Sequence, residues 1–221
     1  MKQLTIWGRT SAFNVQKVLW LADELSLDYQ LIEAGGRHGG LDDPTFRAMN
    51  PHGRVPVIMD GELAVWESHA ILRYLAAGYG TPDLWPADPG ARSHIDRWMD
   101  WGQTTFQPDF MRLFWGFYRC PPSERDSTAI TAARTACEQR VAVLEGELYE
   151  RDWLAGPDFS LADVAVGTAL YRYIEMGADT SLPPTVARWY DRLAERPAYR
   201  DRVMIAFDEL AGQPTFEPTS A

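Results

Sequence analysis

The chain has 221 residues, 46% of them hydrophobic and 9 of them Trp, and a formal net charge of −10. The acidic balance argues against nucleic acid as a partner, and no apolar run approaches the ~20 residues needed to cross a bilayer. Cys120 and Cys137 are too few for a disulfide framework and fit a reducing compartment, so a cytoplasmic setting is expected.

The N-terminal residues run directly into a strand pattern, Leu4 to Trp7, without the apolar segment of a signal peptide. Gly8 closes that strand. Val15, Val18, Leu19, Ala22 and Leu25 then fall on one face of a predicted helix. Leu27 to Ile32 reads as a second strand with Tyr29 and Leu31 on one side. The loop Gly35-Gly36-Arg37-His38-Gly39-Gly40 holds four glycines, but no Lys-Ser/Thr pair follows, which disfavours phosphate binding. A short helix near Thr45–Met49 precedes two strands, Val55–Met59 and Glu62–Trp66, joined by a turn at Asp60-Gly61. A helix from Ser68 to Ala77 follows, stopped by Gly78 and Gly80.

Residues 81–90 hold three prolines and read as a linker between a first domain, 1–80, and a second, 91–221. Everything beyond is helical in pattern. Segments are expected at Ala91 to about Tyr118 with a bend before Pro108, Ser123 to about Arg151, Leu161 to about Met176, and Thr185 to Glu195. A short element after Pro197 follows, and Gly212 to Ala221 reads as frayed. Ser160-Leu161-Ala162-Asp163 is a capping box, with Phe159 and Val164 placed as a hydrophobic staple.

The chemistry concentrates between Asn50 and Ile71. Pro56 stands where a β-branched strand begins, and proline cannot donate to a ladder, so it must lie at a strand's first position or an edge. A cis Val55–Pro56 bond would turn the backbone of Val55 away from the sheet, free to pair with an extended ligand. Glu67 offers a carboxylate, and Ser68 reads as the N-cap of a helix whose start attracts anions. An open backbone edge, a carboxylate and a helix N-terminus suit a small zwitterionic peptide with an amine at one end and carboxylates at both.

With Trp7 to Asn14 upstream and Phe159 to Asp163 downstream, these residues resemble the cytosolic glutathione S-transferase superfamily over essentially the whole chain. The strand and helix order of the first domain, a parallel βαβ unit plus an antiparallel hairpin, is the thioredoxin-like α/β arrangement. The resemblance implies the same, followed by an all-helical domain. It also implies that Glu67 and Ser68 receive the γ-glutamyl amine and carboxylate of glutathione, that Arg54 faces its glycyl carboxylate with help from His38, and that the chain is a homodimer engaged in detoxification. The first helix opens on Arg9-Thr10-Ser11-Ala12-Phe13-Asn14 with no cysteine, so a serine- or asparagine-type bacterial member is expected rather than a cysteine-type enzyme. A thiol of pKa ≈ 8.5 is only a few per cent ionised at pH 7, and one donated hydrogen bond plus a helix N-terminus would lower it. Ser11 is the first candidate donor, Asn14 the second and Thr10 the third; the structural alternative is that Ser11 or Thr10 caps the helix.

Aromatic residues crowd the helix around 106–118. Some fill a core, and Phe106, Met111, Phe114, Trp115 and Tyr118 are expected to line an apolar cleft for the electrophile. No metal is implied. Two rivals stay open: a glutathione-dependent peroxidase, disulfide reductase, dehalogenase, lyase or isomerase on this scaffold, and a binding module without turnover.

Overall fold

Strand β1, Leu4–Trp7, alternates as a half-covered strand must, with Leu4 and Ile6 buried and Thr5 and Trp7 partly open. It is the second strand of a four-stranded sheet in the order β2-β1-β3-β4. β2, Tyr29–Ile32, runs parallel to β1 with Leu4 opposite Tyr29. β3, Val57–Asp60, runs antiparallel with Trp7 opposite Val57, and β4, Leu63–Trp66, returns along β3 with Val57 opposite Trp66. The expected thioredoxin-like arrangement is therefore present. The structure, a computed structural model, describes residues 4–214, which divide into two compact units between Gly80 and Thr81.

Helix α1, Phe13–Glu24, crosses from β1 to β2 and is more enclosed than a one-face stripe suggests. Gln16, Lys17, Trp20 and Leu21 are buried together with Val15, Val18, Leu19 and Ala22, while Leu25 is only half-buried at the C-cap. The helix ends in a Schellman turn. Ser26 takes φ 52°, its N–H bonds Asp23 O, and the Leu27 N–H reaches Ala22 O at 3.0 Å. That turn consumes Leu27 and Asp28, so β2 starts at Tyr29 rather than at Leu27.

The hairpin also begins later than its sequence suggests. Pro56 has no N–H for the ladder, and pairing starts at Val57. Asp60 pairs with Leu63, so the turn is Gly61-Glu62, with Gly61 at φ 64°. The Asp60 side chain also ties the sheet to the next helix, its Oδ2 accepting from Tyr74 at 2.7 Å and Tyr79 at 2.5 Å. Both tyrosines lie on α3, Ser68–Tyr79, which runs through Gly78 to Tyr79 instead of stopping at Ala77. Short α2, Pro44–Met49, is capped by Asp43 through Thr45 N at 2.7 Å.

In the second unit α4, Pro89–Trp101, begins inside the expected linker because Asp88 caps it through Ala91 N at 2.8 Å. The long segment expected to bend at Pro108 continues instead through a π turn, Gly102–Phe106, helix α5, Gln107–Leu113, and a second π turn, Phe114–Arg119. Pro108 lacks the N–H that an α-helical register would require, and the widened turn lies just ahead of it. Next come α6, Ser127–Glu147, set by its cap Asp126 rather than starting at Ser123, and α7, Leu161–Glu175. α8, Pro184–Ala194, and α9, Pro197–Arg202, follow.

α7 is the unit's buried axis, with Leu161 to Leu170 all enclosed. The capping box at its start is present. Asp163 accepts from Leu154 N, Ser160 N and Trp189 Nε1 at 2.9–3.0 Å, and from Ser160 Oγ at 3.2 Å. Phe159 packs against Trp153, with the Arg196 guanidinium 3.7 Å from its ring centre. The tail expected to fray is tied at its start: Gly212 N bonds Tyr118 O at 2.9 Å and Arg119 Nε bonds Gln213 O at 2.7 Å. The rest of that expectation, residues 215–221, lies outside the described residues.

Candidate active site

Two helix starts and one loop of the first unit carry the polar residues singled out above. Neither Ser11 nor Thr10 caps α1. The N-cap is Ala12, so the capping alternative is corrected by position. Ser11 is buried at 7% exposure. Asn14, one residue into the helix from Phe13, holds its Oδ1 buried with no hydrogen-bond partner. An unpaired buried acceptor costs about 1–3 kcal/mol, which a ligand can recover.

At α3 the cap assignment shifts by one. Ser68 is the first helical residue and Glu67 is the N-cap, held at φ 69° with ψ 119°, a left-handed conformation rare for a residue with a side chain. The reading of Ser68 as N-cap is thus corrected: its hydroxyl sits inside the first turn rather than ahead of it. Ser68 is buried and Glu67 exposed, and neither side chain has a hydrogen-bond partner among the described residues. The helix start is left to whatever binds there.

The Val55–Pro56 bond is cis, and Val55 stands outside the ladder that begins at Val57. The loop ahead of it is organised by Asn50, to which the sequence reading assigns no role of its own. Asn50 is buried, gives Nδ2 to Arg54 O at 2.8 Å, and accepts from His52 N at 3.0 Å. Arg47 closes the same loop, donating to Pro51 O at 2.9 Å and pairing with Asp42. Gly53 takes φ 59°, which strains any residue with a side chain, and a Cβ there would fall 2.4 Å from the Arg47 guanidinium carbon, so a larger residue must also displace Arg47. Arg54 projects exposed from this frame.

The glycine loop forms a bed for Arg9. A Cβ at Gly36 would meet Arg9 Nε at 3.1 Å, and one at Gly35 would meet Arg9 Nη1 at 3.4 Å and Val55 Cγ2 at 3.6 Å. Bare backbone there lets Arg9 lie across the loop beside Val55. His38 faces its own neighbours, 3.3 Å from Glu33 Oε2 and 3.4 Å from Arg37 Nε.

Beneath the site, Lys17 is fully buried on α1, and its Nζ lies 3.2 Å from His69 Nε2 on α3. Burial pushes the Lys17 pKa down to about 7, partly offset by the Glu67 carboxylate. Burial, with Lys17 and Arg73 nearby, pushes His69 down to about 2.

In the second unit, five aromatic residues form a ladder, Trp101, Phe106, Phe110, Phe114 and Tyr118, with successive ring centres 5.3–6.5 Å apart. Phe106 and Phe114 are buried within it. Met111 and Tyr118 are half-buried and Trp115 is 44% exposed, with the Arg119 guanidinium 4.1 Å above its ring. Among the described residues no cluster of His, Cys, Asp or Glu could hold a metal ion.

Residues 2–77 match the family described as glutathione S-transferase, N-terminal domain, and residues 106–197 its C-terminal domain. The chain belongs to the glutathione S-transferase family. It is 42% identical over 204 residues to glutathione S-transferase GstB of Escherichia coli K12, covering 91% of this chain and 98% of that one. It is 34% identical over 178 residues to rat glutathione S-transferase theta-1, covering 78% and 74%. The crystal structure of a theta class glutathione S-transferase from Xanthomonas axonopodis pv. citri, with glutathione bound, superposes with a TM-score of 0.87 at 45% identity, covering 93% of this chain and 99% of that one. This family member is thus an enzyme of the transferase class with a thioredoxin-like first domain and a helical second one.

Proposed function

We propose that the enzyme binds glutathione across the α1 and α3 starts and conjugates its thiolate to an apolar electrophile. The observation that carries this reading is the pair Glu67-Ser68. A carboxylate and a hydroxyl, adjacent at an uncapped helix start, are left without partners among the described residues beside a backbone edge at Val55. A γ-glutamyl amine pairs with Glu67, and its α-carboxylate takes Ser68 and the helix N–H groups. The peptide backbone pairs with Val55 beside cis Pro56, and Arg54 takes the glycyl carboxylate, with His38 in assistance from the glycine loop. The glutathione bound in the Xanthomonas structure supports the ligand class.

The thiol then lies toward Thr10, Ser11 and Asn14. Ser11 or Asn14 donates to sulfur, the thiol proton leaves to solvent, the thiolate forms a bond to the electrophilic carbon, and the leaving group departs. Lowering the thiol pKa by ~2 units needs about 2.7 kcal/mol, which one charge-assisted hydrogen bond and a helix terminus can supply. Met111, Trp115 and Tyr118 offer the apolar surface for the electrophile, and Phe106 and Phe114, buried in the ladder, back it rather than line it. Two copies of the chain, a cytoplasmic setting and a role in detoxification complete the reading; the two cysteines are free thiols, as a reducing compartment requires.

The test is ultraviolet titration of bound glutathione in Ser11→Ala and Asn14→Ala. The substitution that removes the sulfur's donor raises the apparent thiol pKa by about one unit or more while affinity changes little. Unchanged thiolate signal in both variants refutes side-chain activation.

A further inference from the structure

Lys17 and His69 have no role in the chemistry above, yet they form a buried polar pair in the first unit. Lys17 stands one turn into α1 from Asn14, in a run where Val15 to Ala22 is otherwise apolar apart from Gln16. His69 directly follows Glu67-Ser68 on α3. Their side chains are 1% and 3% exposed and meet at 3.2 Å. The Phe13 ring centre lies 4.9 Å from the ammonium, and His69 Nδ1 has no partner. With Nε2 accepting from Lys17, the imidazole proton sits on that unpartnered Nδ1. A core chosen for stability alone would use two apolar side chains here, because burying an ammonium and an unpaired N–H is unfavourable.

We infer that the Lys17–His69 hydrogen bond is a positioning device that registers the thiol-activating turn of α1 against the γ-glutamyl-binding turn of α3. Two recognition elements on separate helices must hold one ligand at both ends, and misplacement by a fraction of an ångström between them lowers the rate without abolishing binding. Sequence separation makes the bond effective: it joins residues 52 apart, at the two helix starts that the ligand spans. Nonspecific packing between α1 and α3 permits sliding. A directional bond from a buried donor does not.

Such a device presupposes the glutathione reading, and one set of variants separates the two. Lys17→Met and His69→Leu replace the pair by apolar side chains of similar volume. His69→Gln keeps an acceptor where Nε2 stood. Thermal stability, affinity for S-methylglutathione, kcat and the thiol pKa of bound glutathione are measured for each. The double variant Lys17→Met/His69→Leu is expected to melt no lower than the parent, whereas either single variant leaves the other group buried without its partner and melts lower; all of them are expected to bind S-methylglutathione within about threefold. Their kcat should fall about tenfold with a raised thiol pKa, while His69→Gln stays close to the parent. The double variant Lys17→Met/His69→Leu should lose no more than either single one, because both remove the same bond. Parent-like kcat and thiol pKa in Lys17→Met overturn the inference and leave the pair as core. If Lys17→Met melts lower, the comparison of His69→Leu with His69→Gln decides: equal activity in those two overturns it, and rescue by Gln sustains it. Failure of the parent protein to bind S-methylglutathione overturns the glutathione reading itself, whatever the variants do.

Discussion

Asp163 lets the energetic weight of one carboxylate be worked out and checked. It is fully enclosed at the start of α7 and serves Leu154 N, Ser160 N, Ser160 Oγ and Trp189 Nε1. Burial nevertheless dominates and pushes its pKa from 3.8 up to about 6. That rise corresponds to about 3 kcal/mol by which the ionised form is disfavoured in the folded protein. The sign follows: the folded state binds more protons than the unfolded one between the two values, so stability falls as pH rises from about 4 to about 6. Asp163→Ala strands three N–H groups at about 1–3 kcal/mol each but relieves the buried charge of about 3 kcal/mol, for a net loss centred near roughly 3 kcal/mol at neutral pH. Asp163→Asn keeps an oxygen for Leu154 and Trp189 and strands only the Ser160 N–H, so it should stay within ~1 kcal/mol of the parent at neutral pH. Urea denaturation followed by far-ultraviolet circular dichroism reads both; with a slope near 2 kcal/mol/M, the Ala midpoint drops by about 1.5 M. Both deficits widen toward about pH 4, where the parent is relieved by protonation. A deficit that shrinks in acid would refute the reasoning, since it would mean that the anion itself stabilises the fold.

Glu67→Ala should weaken glutathione binding by about 2–3 kcal/mol, roughly 30- to 150-fold, with a smaller effect on kcat at saturation; calorimetry showing parent affinity would place the amine elsewhere. Ser26→Gly should raise stability by about 0.5–1 kcal/mol, because glycine takes φ 52° at the Schellman turn without steric cost; a lower urea midpoint would count against it. Gly53→Ala should lower glutathione affinity and cost at least about 1 kcal/mol of stability, since Arg47 must leave Pro51 to admit a methyl group; an unchanged melting temperature would contradict the contact. Tyr79→Phe should cost about 1 kcal/mol and loosen the last turn of α3, detectable as faster amide exchange at Gly80.

The βαβ unit and the hairpin were legible because turn residues bound three of the strands: Gly8 after β1, Pro56 before β3, Gly61 between β3 and β4. Boundaries were misplaced where side chains outvote pattern. Asp88 and Asp126 pull helices to themselves by capping, and Asp60 extends α3 to Tyr79 through two hydroxyls that no periodicity signals. At the site, Glu67 and Ser68 stood out by chemistry, but which of them is the N-cap depends on a φ of 69° that composition does not reveal. Asn50 and Arg47 were invisible as loop organisers, since their bonds run to backbone carbonyls four residues away. Lys17 did leave a signal: a lysine inside an otherwise apolar helical run is either misplaced or employed.

The clasp at the end of the second unit has a practical meaning for anyone handling this protein. Tyr118 O takes the Gly212 N–H, and Arg119, buried at 4% exposure, grips Gln213 O with both Nε and Nη2. All of these bonds end at Gly212 and Gln213, so the two residues belong to the folded end of the second unit. A cut after residue 211 strips Arg119 of that carbonyl beside the Trp115 ring, where its guanidinium already sits 4.1 Å from the ring centre. A shortened or tagged chain that loses Gly212 and Gln213 therefore opens the helical end that they close.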